Sequence, residues 1–277
     1  MNLTDITRPL IMGILNVTED SFSDGGQYNQ TAAAVKHALD MITEEADIID
    51  IGGESTRPGS EGISEDKQIE KVIPVIEELK IRSDKIIISI DTTSAKVAEA
   101  ALHAGASIIN DVSAGRDDKA MFQLAADRDV PIILMHMQGT PATMQDNPKY
   151  ENVVEEIKAF LLERASRAQT EGVAKSNIII DPGIGFGKTK QHNLELLANL
   201  AKFTNLGYMV MLGASRKRFM GSICTIERYS ELVGATCTTT TLGIQAGVKI
   251  FRVHDVKENR QAADVAFAIL NSQVNAD

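Results

Sequence analysis

Short runs rich in β-branched residues alternate with longer amphipathic stretches eight times along the chain, and that alternation constrains the fold more than any other feature. The short runs cover 10–15, 47–51, 86–90, 107–109, 131–135, 177–180, 208–212 and 249–253. Most are continuously apolar, as strands are when both of their faces are covered. Helical stretches lie between them; one spans 31–45 with Thr31 as its cap, and another spans 94–104 and stops at Gly105. Strands joined through helices pair in parallel, and eight such units close into an α/β (β/α)8 barrel, the TIM barrel, for which roughly 250 residues is usual. With 277 residues and 43% apolar content, the chain suits one barrel domain over 1–277. A doubly wound open sheet is the alternative, but no Gly-rich dinucleotide turn follows the first run.

A barrel of this kind carries its chemistry at the C-terminal ends of its strands, where the eight connecting loops converge. A polar residue falls at nearly every one of those ends: Asn16, Asp50, Asp91, Asn110, His136, Asp181, Ser215 with Lys217, and Arg252 with His254. Any one of them could be an ordinary cap or turn residue. Eight in succession mark a site. Carboxylates at Asp50, Asp91 and Asp181, set beside apolar walls such as Ile88 and Met135, need a cation or a donor-rich partner. A planar heterocycle with an amino group and ring N–H donors would satisfy Asp181 and Asn110 together; salt bridges to barrel lysines are the structural alternative.

The loops refine this ligand. Residues 16–26 mix acids and hydroxyls with a glycine pair and Phe22, the composition of a lid over an apolar ring. The next loop, 52–59, offers Arg57 as an anion-binding fork. Residues 181–189 superficially resemble a phosphate loop, yet Pro182 and Lys188 stand where the two glycine fingerprints require Gly. That stretch reads instead as a site wall, with glycines allowing close approach of a flat ligand and Phe186 supplying a packing face. Basic residues at Arg216, Lys217 and Arg218 precede a helix whose N-terminus favours acids, and with Arg252 and His254 they suit a bound pyrophosphate.

Composition removes other function classes. A net charge of −10, no Trp and few aromatics argue against a nucleic-acid partner. No apolar run is long enough to span a bilayer, and the first residues lack the basic and apolar regions of a signal peptide, so no membrane partner and a cytoplasmic location are expected. The two cysteines, Cys224 and Cys237, are too few for a disulfide framework or a zinc site.

From Ile11 to about Val265 the chain resembles the bacterial dihydropteroate synthases. The resemblance rests on residues 11–26, 50–59, 135–139, 181–188, 215–217 and 252–255. It implies a transferase of folate synthesis in which p-aminobenzoate displaces pyrophosphate from 6-hydroxymethyl-7,8-dihydropterin pyrophosphate, with Mg2+, by dissociative substitution. It further implies that Asp91, Asn110, Met135, Asp181 and Lys217 hold the pterin, and that Asn16, Arg57, Arg252 and His254 take the pyrophosphate. By the same resemblance Asn16 and Asp24 bind the metal. Phe22, Thr56, Arg57, Pro58, Phe186, Ser215 and Lys217 form the p-aminobenzoate pocket that sulfonamides also enter. Asp91, Lys217 and Asn16 are then the catalytic residues, and the late outer helices form a homodimer contact. Glu45 departs from the family pattern, in which a Gly is common before the second strand. A pterin-binding methyltransferase acting between a folate and a corrinoid protein is the competing activity, and it would not need the anion site of 215–217 with Arg252 and His254; a barrel without catalysis is a third possibility, which the complete motif residues argue against.

Overall fold

The computed structural model describes residues 7–17, 26–54 and 62–274. The chain alternates strand and helix: β1 (Leu10–Asn16), α1 (Gly26–Thr43), β2 (Ile48–Gly52), α2 (Glu65–Arg82), β3 (Ile88–Asp91), α3 (Ala95–Ala104), β4 (Ile108–Asp111), α4 (Met121–Asp127), β5 (Ile132–Met135) and α5 (Val153–Thr170). There follow β6 (Ile178–Asp181), α6 (Lys190–Ala198), α7 (Leu200–Thr204), β7 (Met209–Leu212), α8 (Arg218–Cys224), α9 (Val233–Gln245), β8 (Ile250–Val253) and α10 (Val256–Val274). All eight strands pair in parallel in sequence order, and β1 pairs with β8 to close the TIM barrel expected from the sequence. Among the described residues no helix is long and apolar enough to cross a membrane.

The pleat of each strand sorts its side chains. Ile11, Leu15, Ile49, Ile51, Ile88, Ile90, Ile109, Leu134, Ile180 and Leu212 face outward into one large cluster with the helices. Their neighbours Met12, Ile48, Ile108, Ile133, Ile179, Met211 and Ile250 face inward and fill the barrel's lower interior. Two residues further along the same inward row stand Ile14, Asp50, Asn110, Met135, Asp181, Gly213 and Arg252. The site residues are therefore the next layer of an apolar plug. Most strands begin and end one or two residues later than the sequence suggested. Asn16, Asp91, Asn110 and Asp181 consequently lie within the hydrogen-bonded ladder rather than just beyond it.

A polar latch secures the seam at the opposite end. Asp47 accepts from the Ile11 amide at 2.8 Å, from Arg8 at 2.9 Å and from Arg260 at 3.2 Å, and Arg260 also donates to the Pro9 carbonyl. It ties α10 to the strand on which closure depends. Capping follows side-chain chemistry: Ser64, Ser94 and Asn152 accept from the third helical amide of α2, α3 and α5, and Gly105 ends α3 in the left-handed region.

The first helix differs from expectation. It begins at Gly26, so Thr31 sits inside it, and it ends at Thr43. Glu45 lies beyond it with φ of 69°, while the Ala46 amide returns to the Met41 carbonyl. A left-handed residue closes this turn, which is why Gly suits the position and why Glu45 carries a conformational cost. Replacing the exposed Glu45 by Gly should stabilise the chain by about 1 kcal/mol and raise its melting temperature by roughly 2–4 °C. Thermal unfolding monitored by circular dichroism checks this, and an unchanged or lower melting temperature would contradict it.

Candidate active site

The strand ends open into a cavity of about 990 Å³. Its wall carries Asn16, Asn110, Met135, Asp181, Phe186, Ser215, Lys217, Arg252 and His254, so the sequence's candidates from six separate strand ends converge. Phe22, Asp24, Thr56, Arg57 and Pro58 lie outside the described residues. The cavity also gathers Lys188, Gln145 and Asn193, which pattern alone did not single out.

Asp91 joins the site through Arg252. Arg252 spans two buried carboxylates, with Nε donating to Asp50 Oδ2 at 2.6 Å and Nη2 donating to Asp91 Oδ2 at 2.6 Å. Register explains the geometry: β8 and β2 both flank β1, and Asp91 stands opposite Gly52 at the β2 end, where there is no side chain between them. The cation that Asp50 and Asp91 require is thus an arginine across the barrel, not a lysine. Burial pushes the Asp91 carboxyl up to about 7 against the pull of Arg252, and the Asp50 charge adds to the rise. Burial opposes the charge on Arg252 as well, but Asp50 and Asp91 more than compensate and raise its pKa.

Asp50 has a second task. Its Oδ2 also accepts from Asn110 Nδ2 at 3.0 Å, which fixes the amide so that Asn110 Oδ1 remains an acceptor. Asp50 Oδ1, Ser89 Oγ and Asn110 Oδ1 are buried without a hydrogen-bond partner among the described residues. Three neighbouring strands therefore present unsatisfied polar atoms toward the interior, an arrangement that burial makes costly until donors arrive. Asp181 is held differently: Oδ1 accepts the Gly183 amide at 2.7 Å, while burial raises its pKa to about 6 despite that bond and the nearby Lys217 and Lys188.

The basic cluster after β7 divides on inspection. Arg216, at φ of 55°, is committed to a bidentate pair with Asp255, at 3.0 and 2.5 Å. It is a structural brace rather than an open anion site. Lys217 instead sits 4.1 Å above the Phe186 ring centre. Burial and the charge of Arg252 lower its pKa to about 8, with Asp181 and Asp91 resisting the fall. Ser215 Oγ accepts the His254 amide at 3.2 Å and lies 3.0 Å from His254 Nδ1.

The glycines of 183–187 also need a revised account. A side chain at Gly183 would stand 2.0 Å from the His136 carbonyl oxygen, and one at Gly187 would stand 2.6 Å from the Gln138 carbonyl oxygen. They allow two strand-end loops to pack backbone against backbone. Close approach of a ligand is not what requires these two, whereas a side chain at Gly185 would meet Lys217 on the cavity wall.

A family pattern described as pterin binding enzyme matches residues 12–254. The chain is 42% identical to a dihydropteroate synthase of Escherichia coli K12 over 271 residues, covering 98% of this chain and 95% of that protein. It resembles the solved Xanthomonas albilineans dihydropteroate synthase with 4-aminobenzoic acid, at a TM-score of 0.90 and 42% identity, covering 96% of this chain and 94% of that one. A structure of the Xanthomonas albilineans synthase in complex with 7,8-dihydropteroate aligns at a TM-score of 0.86 and 39% identity, covering 96% and 95%.

Among the described residues Arg252 is the one cation bonded to both Asp50 and Asp91, so its loss should strand two buried carboxylates. Arg252→Met should lower the unfolding free energy at pH 8 by about 3–5 kcal/mol. Without the arginine the folded-state pKa of Asp91 rises further above its unfolded value. The variant's extra penalty therefore lies above the wild-type folded pKa of about 7 and shrinks as falling pH protonates Asp91 in both folded proteins. Urea unfolding at pH 8 and pH 5 measures the difference, and equal deficits at the two pH values would contradict the assignment.

Proposed function

We propose that this chain, which belongs to the dihydropteroate synthase family of pterin-binding enzymes, condenses 6-hydroxymethyl-7,8-dihydropterin pyrophosphate with p-aminobenzoate in its barrel mouth. The observation that carries the reading is the buried layer of acceptors. Asn110 Oδ1 and the Asp181 carboxylate line a cavity whose lower wall is apolar, and they match the amino group and ring N–H donors of a pterin. Met135 packs beside them with Met137, Met144 and Phe186, an apolar lining suited to a flat ring.

The reaction is a substitution at the exocyclic methylene carbon. Its C–O bond breaks with the electron pair leaving on pyrophosphate, the arylamine nitrogen forms the new C–N bond, and an N–H proton is released. Charge stabilisation is the main requirement. Asp91 supplies the carboxylate that favours positive charge on the pterin as that bond opens, with Arg252 holding it in place. Asn16, His254 and Arg252, with Arg57 from the loop between β2 and α2, receive the pyrophosphate. Lys217 binds both substrates, and Phe186 and Ser215 shape the arylamine side with Phe22, Thr56, Arg57 and Pro58.

Mg2+ fits here as a companion of the substrate. Among the described residues no three carboxylates, histidines or cysteines converge to hold a metal, whereas Asn16 places one hard amide oxygen on the wall. Mg2+ commonly binds through one or two protein oxygens plus substrate phosphates. Asn16, with Asp24 from the first loop, would hold it, and it would neutralise charge on the pyrophosphate. The enzyme in this proposal is cytoplasmic and homodimeric, the dimer supported by exposed Leu242, Val265 and Ile269 on α9 and α10.

A pyrophosphate-release assay tests the reading. With Mg2+ and the pterin pyrophosphate, release should depend on p-aminobenzoate, and Asp91→Asn should slow it by about 100- to 1000-fold while circular dichroism stays unchanged. Release that ignores p-aminobenzoate would defeat the synthase reading, and a near wild-type rate in the variant would defeat the role of Asp91.

A further inference from the structure

Lys188 is a buried lysine that the reaction as described does not use. Its side chain is 3% exposed, and its Nζ meets three acceptors: Phe186 O at 2.8 Å, His136 Nδ1 at 3.0 Å and His136 O at 3.3 Å. Three acceptors match the three N–H bonds of an ammonium. Two of them belong to the residue after β5 and one to the loop after β6, so a single side chain joins two strand ends. Burial and the charge of Lys217 pull its pKa well below the usual lysine range, with Asp181 opposing. A lysine kept there against burial has a geometric purpose.

The purpose is visible in what the bonded groups carry. The Phe186 carbonyl belongs to the residue whose ring lies 4.1 Å beneath the Lys217 ammonium. The same loop is fixed from outside by Gln145 Nε2 donating to Gly185 O at 2.8 Å, by Tyr150 donating to Gly187 O at 2.8 Å and by the Gly185 amide donating to Asn193 at 2.7 Å. Each of these bonds holds a neighbouring glycine; Phe186 itself is held by its amide donating to Gly183 O at 3.1 Å and by Lys188, the one side chain among the bonds described that donates to its carbonyl. His136 is fixed in turn by edge contact with Phe160, ring centres 4.8 Å apart. The path runs from β5 through Lys188 to the aromatic wall of the cavity.

We propose that Lys188 is a positioning residue that seats Phe186 under Lys217 and thereby sets the arylamine side of the site. With Lys188 as the donor, this contact requires a neutral His136 with its proton on Nε2, and burial and the Lys188 charge lower the His136 pKa in the same sense. Lys188 touches no reacting atom. The inference rests on the proposed reaction only in giving Phe186 the arylamine side; the bonds themselves do not depend on it.

The test is a double-mutant cycle in the full chain. Lys188→Met keeps the volume and removes all donors, and it should raise the KM for p-aminobenzoate about tenfold, the effect of losing one charge-assisted hydrogen bond, with the KM for the pterin pyrophosphate little changed. Combined with Phe186→Ala it should add little, because Lys188 acts through that ring. Independent, multiplying effects, or equal rises in both KM values, would overturn the proposal, as would a Lys188→Met chain that does not fold. A wild-type chain without synthase activity would instead refute the reaction. A second measurement needs neither variant nor activity: 15N spectra of histidine-labelled protein should show the His136 ring neutral with its proton on Nε2 from pH 5 to pH 9. A ring that titrates near the ordinary histidine value, or carries its proton on Nδ1, would overturn it.

Discussion

Closure of a parallel barrel covers both faces of every strand, and the rest of the molecule follows from what that allows inside. The inward row can be polar only where a partner is guaranteed. Below, Met12, Ile48, Ile108, Ile133, Ile179, Met211 and Ile250 fill the interior with apolar side chains. One pleat higher, Asp50, Ser89, Asn110, Asp181 and Arg252 replace them. The most consequential interaction in that layer is Arg252 shared between Asp50 and Asp91, which lets two carboxylates coexist in a buried mouth and orients Asn110 through Asp50.

This layer is internally incomplete. Arg252 satisfies part of the acceptor capacity, the Gly183 amide another part, and the acceptor atoms of Asp50 and Asn110 have no partner among the described residues. Membership of the dihydropteroate synthase family and the layer's physical chemistry point the same way, toward a ring rich in N–H donors. The upper wall has the opposite charge preference: Lys217 over Phe186, Lys188 beneath, and the Ser215–His254 pair beside them. A substrate with a donor-rich ring and an anionic tail fits both halves.

Much of this was legible in the sequence because barrel strands leave two strong signals, continuous apolar runs and a polar residue at the end of each. The strand order, the closed barrel and the convergence of Asn16, Asn110, Asp181, Ser215, Lys217, Arg252 and His254 follow from those signals. Pairings were not legible. Arg252 lies about 200 residues from Asp50 and reaches it only because β8 and β2 both flank β1, a consequence of closure that no local pattern records. Arg216 looked like an open cation beside Lys217, yet its left-handed backbone turns it toward Asp255. The loop glycines looked like space for a ligand, and they are space for the backbone of His136 and Gln138. Lys188 ends a glycine run that failed the phosphate-loop spacing; its burial depends on that same packing of two loops, which spacing cannot reveal.

The central claim is that the buried carboxylates of the mouth are held short of full ionisation until a pterin supplies its donors. Burial sets Asp91 near 7 and Asp181 near 6 in the free chain, so donor bonds that favour the ionised forms must release protons on binding. Titration calorimetry at pH 6.5 in buffers of different ionisation enthalpy counts them directly, with a 6-hydroxymethyl-7,8-dihydropterin lacking the pyrophosphate so that the ligand's own phosphate protons do not contribute. The account predicts release of about one proton per site, the amount the two carboxyls hold between them at that pH. Binding with no proton release, or with uptake, would contradict it.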